Sequence, residues 1–180
     1  MNNVMIDIET LALSNDAAVI AVGACAFDAN DVGGKFEVLL NPVLSPGRRD
    51  EETLEWWRRQ PAEVLERMTG GLATPREACE GLAAFVLSQG PPAKIWANSP
   101  SFDCVVLRTL FGVVGASVPW SFRDELDYRT LRAMYKSHPS YDDAAIESIR
   151  ADRTAHDALS DAVCQARTVQ LIYRDMGVRL

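Results

Sequence analysis

At the start of the chain the apolar pattern repeats every second residue. Val4, Ile6 and Ile8 fall on one face of a predicted strand, while Met5, Asp7 and Glu9 fall on the other. A polar-tipped turn follows from Leu11 to Asp16. Ala18–Phe27 reads as a second strand of small apolar residues, with Gly23 allowing close approach or a bulge. After a glycine-rich loop, Lys35–Leu40 reads as a third strand with Phe36, Val38 and Leu40 on one face. Three such strands in succession predict an antiparallel meander.

Beyond Asp50 the period lengthens to that of a helix. Helices are predicted at Glu51–Gln60 and from Pro61 to about Arg67. A third follows from a Thr74 cap, with Pro75 first and Glu77 third, to about Ser88. Gly90-Pro91-Pro92 breaks the chain before a short strand at Lys94–Ala97, and Ser101–Phe111 is helical. Strand followed by helix is the parallel idiom, so the sheet is mixed. Pro119–Leu126 is predicted as a last strand, Tyr128–Lys136 as a helix and His138–Ile149 as a polar loop with a short turn. The final helix is expected to open at Thr154, with Asp157 as its capping-box partner, and to run to about Met176. Leu159, Ala162, Val163, Ala166, Val169 and Tyr173 lie along its sheet-facing stripe. No repeat, low-complexity tract or linker divides the chain, which reads as one α/β domain over residues 1–180.

Composition adds little to this picture. A hydrophobic fraction of 48% and a charged fraction of 24% are ordinary for a globular protein. No apolar run approaches membrane-spanning length, and no basic leader precedes the first strand. Cys25, Cys79, Cys104 and Cys164 are widely spaced, which fits a reduced, cytoplasmic setting better than disulfides or zinc. The net charge of −7 argues against a broad basic footprint on nucleic acid, unless acids are gathered at a metal site.

The acid pattern points to such a gathering. Asp7 and Glu9 share a strand face, their backbones about 7 Å apart. An acid pair inside a buried strand needs cationic compensation, and carboxylate oxygens suit hard divalent ions. Taken alone, the pair is equally consistent with an edge strand whose second face is wet. Two further sites lie downstream: Asp103 just past a strand end, where ligands gather in open α/β sheets, and His156 with Asp161 on the final helix.

In that order, D-I-E-T, N-x-x-x-F-D and H-x-x-x-x-D resemble the DEDDh group of 3′–5′ exonucleases, and together they span nearly the whole chain. The stretch from Thr53 to Gln60, with Trp56 and Trp57 at its centre, is similar to one branch of that group: phage or prophage exonucleases and ribonuclease AS-like exoribonucleases. The resemblance implies a ribonuclease H-like three-layer fold, a mixed sheet flanked by helices. It also implies that Asp7, Glu9, Asp103 and Asp161 hold two divalent ions, Mg2+ or Mn2+, and that His156 is the general base. The implied activity is removal of nucleoside 5′-monophosphates from the 3′ end of a single strand, RNA ahead of DNA. Thr10 and Leu11 would meet the terminal nucleotide, and relatives in the group self-associate as dimers or larger homo-oligomers.

Several residues keep two readings. Phe102 could stack on a base or pack in the core, Asn98 could hold its loop or meet substrate, and one of Trp56 and Trp57 could be core while the other, with Trp57 the candidate, faces a cleft. Asp157 shares a helix face with Asp161 but has a duller use as a cap. His156 lies about 140° around an ideal helix from Asp161, so it belongs at a frayed helix start rather than beside that acid. His138 precedes a proline in a loop and reads as solvated. Two competing functions share the pattern: a phosphodiesterase for very short oligonucleotides, and a non-catalytic nucleic-acid-binding module. The complete acid set with His156 argues against the second.

Overall fold

The computed structural model describes residues 1–90 and 93–180, so Pro91 and Pro92 of the expected chain break lie outside the described residues. Strands β1 (Asn3–Thr10), β2 (Val19–Phe27) and β3 (Val32–Leu39) form the expected meander. Helices α1 (Glu51–Arg58), α2 (Ala62–Thr69) and α3 (Pro75–Ser88) follow. The start of α3 is the predicted capping box, Thr74 and Glu77 each satisfying the other's backbone N–H. Strand β4 (Lys94–Ala97) then pairs parallel to β1, and α4 (Asp103–Val113) leaves its end. Next come β5 (Glu125–Asp127), parallel to β4, α5 (Tyr128–Tyr135), α6 (Asp143–Ala151) and α7 (Ala158–Asp175). The sheet order is β3-β2-β1-β4-β5.

The two faces of β1 belong to different layers, as the alternation requires. Val4, Ile6 and Ile8 pack with Leu82, Val86 and Phe111 of α3 and α4. Met5 packs on the opposite face with Trp96, Ala162 and Val169. Every residue of β2 is buried: α7 and α2 pack on it, and Val22 and Ala24 join the core formed with α3 and α4. Its small residues make that possible. A Cβ on Gly23 would lie 2.2 Å from the Ala158 carbonyl carbon and the Leu159 nitrogen, so the first turn of α7 rests directly on the β2 backbone. Gly23 is also the register partner of Asp7. This contact therefore sets α7 down beside the acid strand.

Three sequence expectations need correction. The segment from Pro119 to Leu126 is mostly irregular: Ser121 accepts from the Arg123 N–H and closes a 3-10 turn, leaving only Glu125–Asp127 in the sheet. The expected loop at His138–Ile149 contains α6. Its start is capped by Asp142, and Ile146 and Ile149, three apart, bury against Tyr135 and the last turns of α7. The final helix starts four residues later than Thr154. Asp157 is its cap, accepting from the Ser160 N–H, rather than the partner of a threonine cap.

Gly23→Ala is expected to destabilise the protein by about 1–3 kcal/mol through overpacking against the α7 backbone. Gly112→Ala, inside α4 with open space around it, should stabilise by about 0.5–1 kcal/mol. Urea unfolding of both variants checks the pair, and a neutral Gly23→Ala would refute the close approach.

Candidate active site

The acids converge because three elements end at the same place. Asp7 and Glu9 project from the α7-facing side of β1, and Asp161 lies in the first turn of α7. Asp7, Glu9 and Asp161 each offer a carboxylate oxygen, all within 4.8 Å of one another. Asp103 opens α4 just beyond β4 and is buried, its Oδ2 accepting from the Ser99 N–H at 3.0 Å. It adjoins the trio without belonging to that tightest group, and its charge is felt at both Asp7 and Glu9.

Mutual repulsion and burial both oppose ionisation here. Burial, then Asp103, Glu9 and Asp161, hold Asp7 well above the usual carboxylate range. Burial and the charges of Asp161 and Asp103 push Glu9 up to about 8. Burial pushes Asp103 up to about 6 despite its bond from Ser99, and burial also raises Asp161 against the pull of Arg153 and His156. Two contacts favour the charged form. Gln165 Nε2, one turn along α7 from Asp161, donates to Asp7 Oδ1 at 2.7 Å. Arg153 Nε lies 3.1 Å from Asp161 Oδ1, yet that buried oxygen accepts no aligned hydrogen bond. An all-oxygen donor set with protons held above their normal range and an orphaned buried oxygen fits a hard divalent cation.

His156 lies outside this cluster, on the turn before the Asp157 cap, with a left-handed backbone (φ 60°). A β-carbon in that region costs on the order of 1 kcal/mol. Its ring stands perpendicular to Trp56 at 4.6 Å between centroids and 6.4 Å from Trp57. Asp157 is committed elsewhere: besides capping α7 it pairs with Arg67, which also binds Glu37. His138 sits in an exposed loop, its Nδ1 accepting from the Ser140 N–H.

Beside Glu9 opens a cavity of about 310 Å³ whose walls include Thr10, Leu13, Trp56, Trp57 and Phe102. Thr10 and Phe102 line the cavity, and Phe102 also packs against the main core, so both of its readings meet at one position. Leu11 does not line it: it is 8% exposed and packs in the core with Trp57 and Ile20, and Leu13, 81% exposed, stands at the cavity instead. Trp57 is 3% exposed and spends its Nε1–H on the Thr10 carbonyl at 2.9 Å, so it forms the anchored floor, whereas Trp56 is 39% exposed. Asn98 does not line the cavity; its backbone carbonyl accepts from the Arg129 N–H.

Sequence reasoning missed Gln165, Arg153 and Leu13. Only Gln165 carried a signal, its position four residues after Asp161 on the same helix face. Leu13 and Arg153 lie in connections whose geometry no periodicity describes.

A family model for the 3′–5′ exoribonuclease Rv2179c-like domain matches residues 2–173. No curated protein matches the sequence. Among solved structures, exonuclease I superposes with a TM-score of 0.70 at 16% identity over 96% of this chain, which spans 40% of that protein. The nuclease domain of 3′hExo, a DEDDh family member bound to rAMP, gives 0.67 at 10% identity, covering 96% of this chain and 92% of that one. Pop2p of S. pombe, in a form with Mg2+ and Mn2+ bound, gives 0.61 at 14% identity, covering 96% and 82%. The expected ribonuclease H-like architecture is therefore the one observed.

The raised carboxyls have a consequence for stability. Between about pH 4 and about pH 8 these carboxyls keep protons in the folded chain that the unfolded chain has released, so their contribution to metal-free stability is full below this window and is lost as pH rises through it. Melting in EDTA should show Tm falling from pH 5 to pH 8, less steeply in Glu9→Gln. Added Mg2+ or Mn2+ should raise Tm by an amount that grows over the same window. A metal effect independent of pH would contradict this electrostatic account.

Proposed function

The chain belongs to the Rv2179c-like 3′–5′ exoribonuclease family, and from that premise we propose that it shortens single-stranded nucleic acid from the 3′ end, RNA in preference to DNA, releasing nucleoside 5′-monophosphates. The observation that carries the proposal is the meeting of Asp7, Glu9 and Asp161 within 4.8 Å, with Asp103 adjoining. These four carboxylates would hold two divalent ions, Mg2+ or Mn2+. When bound, such ions supply Lewis-acid charge at the scissile phosphate and lower the pKa of water.

The remaining roles fall to the chain's own side chains. Leu13, Trp56 and Phe102 offer apolar surface to the terminal base, and stacking on such surface tolerates any base. Thr10, whose hydroxyl already donates to the Ala12 carbonyl, keeps lone pairs with which to accept from a sugar hydroxyl. The His156 imidazole takes a proton from the attacking water, whose oxygen forms the new bond to phosphorus as the bond to the 3′ oxygen of the penultimate nucleotide breaks and that oxygen gains a proton from solvent. His156 sits before the α7 cap rather than in the helix, so helical periodicity does not fix its direction relative to Asp161. Gln165 orients Asp7 by holding one of its oxygens.

A second reading, a phosphodiesterase for very short oligonucleotides, draws support from the cavity, whose volume of about 310 Å³ suits a single nucleotide. A cytoplasmic setting fits four unpaired cysteines, all buried. Among the described residues no helix is long and apolar enough to cross a membrane.

Digestion of 5′-labelled single-stranded RNA and DNA of equal sequence tests the proposal. A ladder shortening from the 3′ end, dependent on Mg2+ or Mn2+, is expected, faster on RNA. Asp7→Asn should abolish it while leaving the fold intact and the metal-free form slightly more stable, since one repelling acid is gone. His156→Ala should lower kcat by about 10²–10⁴-fold. Full activity in Asp7→Asn would sink the assignment, and cleavage confined to dinucleotides would favour the second reading.

A further inference from the structure

Trp56 stands between the nucleotide cavity and His156. Its indole lines the cavity beside Glu9 and Thr10, and the same indole meets the His156 ring perpendicularly at 4.6 Å. Trp57 is a poorer partner for that histidine, 6.4 Å away and fixed by its own bond to Thr10. The histidine loop is tied down on either side of residue 156. The Thr154 N–H donates to Ser160 Oγ, Asp157 Oδ1 accepts from the Ser160 N–H, and Arg67 holds the other Asp157 oxygen. Among the described residues no hydrogen bond reaches the imidazole itself.

That arrangement is unusual for a general base. A catalytic imidazole is commonly oriented by a carboxylate or carbonyl on its second nitrogen. Here, among the described residues, both ring nitrogens are left without such a partner, and a perpendicular aromatic contact takes its place. Perpendicular aromatic pairs are favoured by the opposite charge of ring edge and ring face, so the contact selects an orientation as well as a position.

We infer that Trp56 is a positioning residue: it sets the orientation of the His156 imidazole and couples that orientation to occupancy of the adjoining cavity. The inference rests on His156 being the base. A terminal base entering the cavity packs against the indole and confines it to one rotamer, and the confined indole in turn confines the imidazole. Without the indole, His156 remains on its left-handed turn, but its ring is free to sample other rotamers. Misorientation of a reacting group lowers kcat, whereas loss of a simple stacking contact raises KM.

The test compares the full chain with Trp56→Ala and Trp56→Phe on a 5′-labelled oligoribonucleotide with Mg2+. Trp56→Ala is expected to lose on the order of 10²-fold in kcat, and Trp56→Phe, which keeps an aromatic ring, to recover most of it. The gain in Tm from Mg2+ alone should be the same in all three, showing the acid cluster undisturbed. In NMR spectra the His156 ring protons, shifted by the neighbouring indole, should move toward free-histidine positions in Trp56→Ala and stay displaced in Trp56→Phe. An oligonucleotide ending in an abasic 3′ residue should lose kcat with the unmodified chain and lose no more when Trp56→Ala is combined with it. An effect of Trp56→Ala on KM alone, or unmoved His156 resonances, would overturn the inference. Full kcat in His156→Ala would instead overturn the base assignment on which it stands.

Discussion

The organising constraint is electrostatic: three carboxylates from two elements are held within 4.8 Å, with a fourth beside them, in a half-buried site. In a medium of reduced dielectric such a group cannot be fully ionised without a cation. The chain tolerates it by holding protons, by the Gln165 bond to Asp7 and by the approach of Arg153 to Asp161. Each of these offsets part of the charge. A hard divalent cation would offset it more fully, so the same geometry that destabilises the metal-free fold prepares the site for metal.

What brings the acids together is the packing of α7 on β2. A run of small residues lets the helix touch the sheet, and Gly23, the register partner of Asp7, is where the contact is closest. Asp161 follows within one turn of that contact. Asp103 arrives by a different route, at the end of β4, the strand that joins β1 in parallel. The site thus lies where the antiparallel and parallel halves of the sheet meet, at the carboxyl end of β1, a favoured position for ligands in open α/β sheets.

The histidine is held differently from the acids. They sit on regular elements with fixed side-chain directions, whereas His156 sits on a left-handed turn with its ring against Trp56 of α1. The acid cluster and the histidine are thus supported in two ways: regular elements hold the charge in place, and a turn tied down by Ser160 and Arg67 presents the imidazole. Trp57, anchored to Thr10, ties α1 to the end of β1, so cavity, histidine and acid strand share one support.

Much of this was legible in the sequence because it depends on local periodicity. The alternation in β1 puts Val4, Ile6 and Ile8 in one layer and Asp7 and Glu9 in the other. The motif order identifies the elements that carry Asp103, His156 and Asp161, and the Thr74 box marks the start of α3. Where the reading failed, two local signals competed or the answer was non-local. Asp157 could serve as box partner or cap, and only the turn at His156 makes it the cap. Two isoleucines within a polar stretch became α6 because Tyr135 and α7 bury them. Leu11 and Leu13 are chemically alike and two residues apart; the turn after β1 sends one into the core and the other to the cavity. Trp56 and Trp57 are adjacent, yet one meets His156 and the other is sealed by the Thr10 carbonyl. Sequence by itself determined most of the strands and helices, which follow from residue type and spacing, and the motif resemblance implied the acid set. Tertiary structure decided which neighbours face the cavity, since that depends on contacts between segments as far apart as residues 10, 57 and 156, whose approach no local pattern encodes.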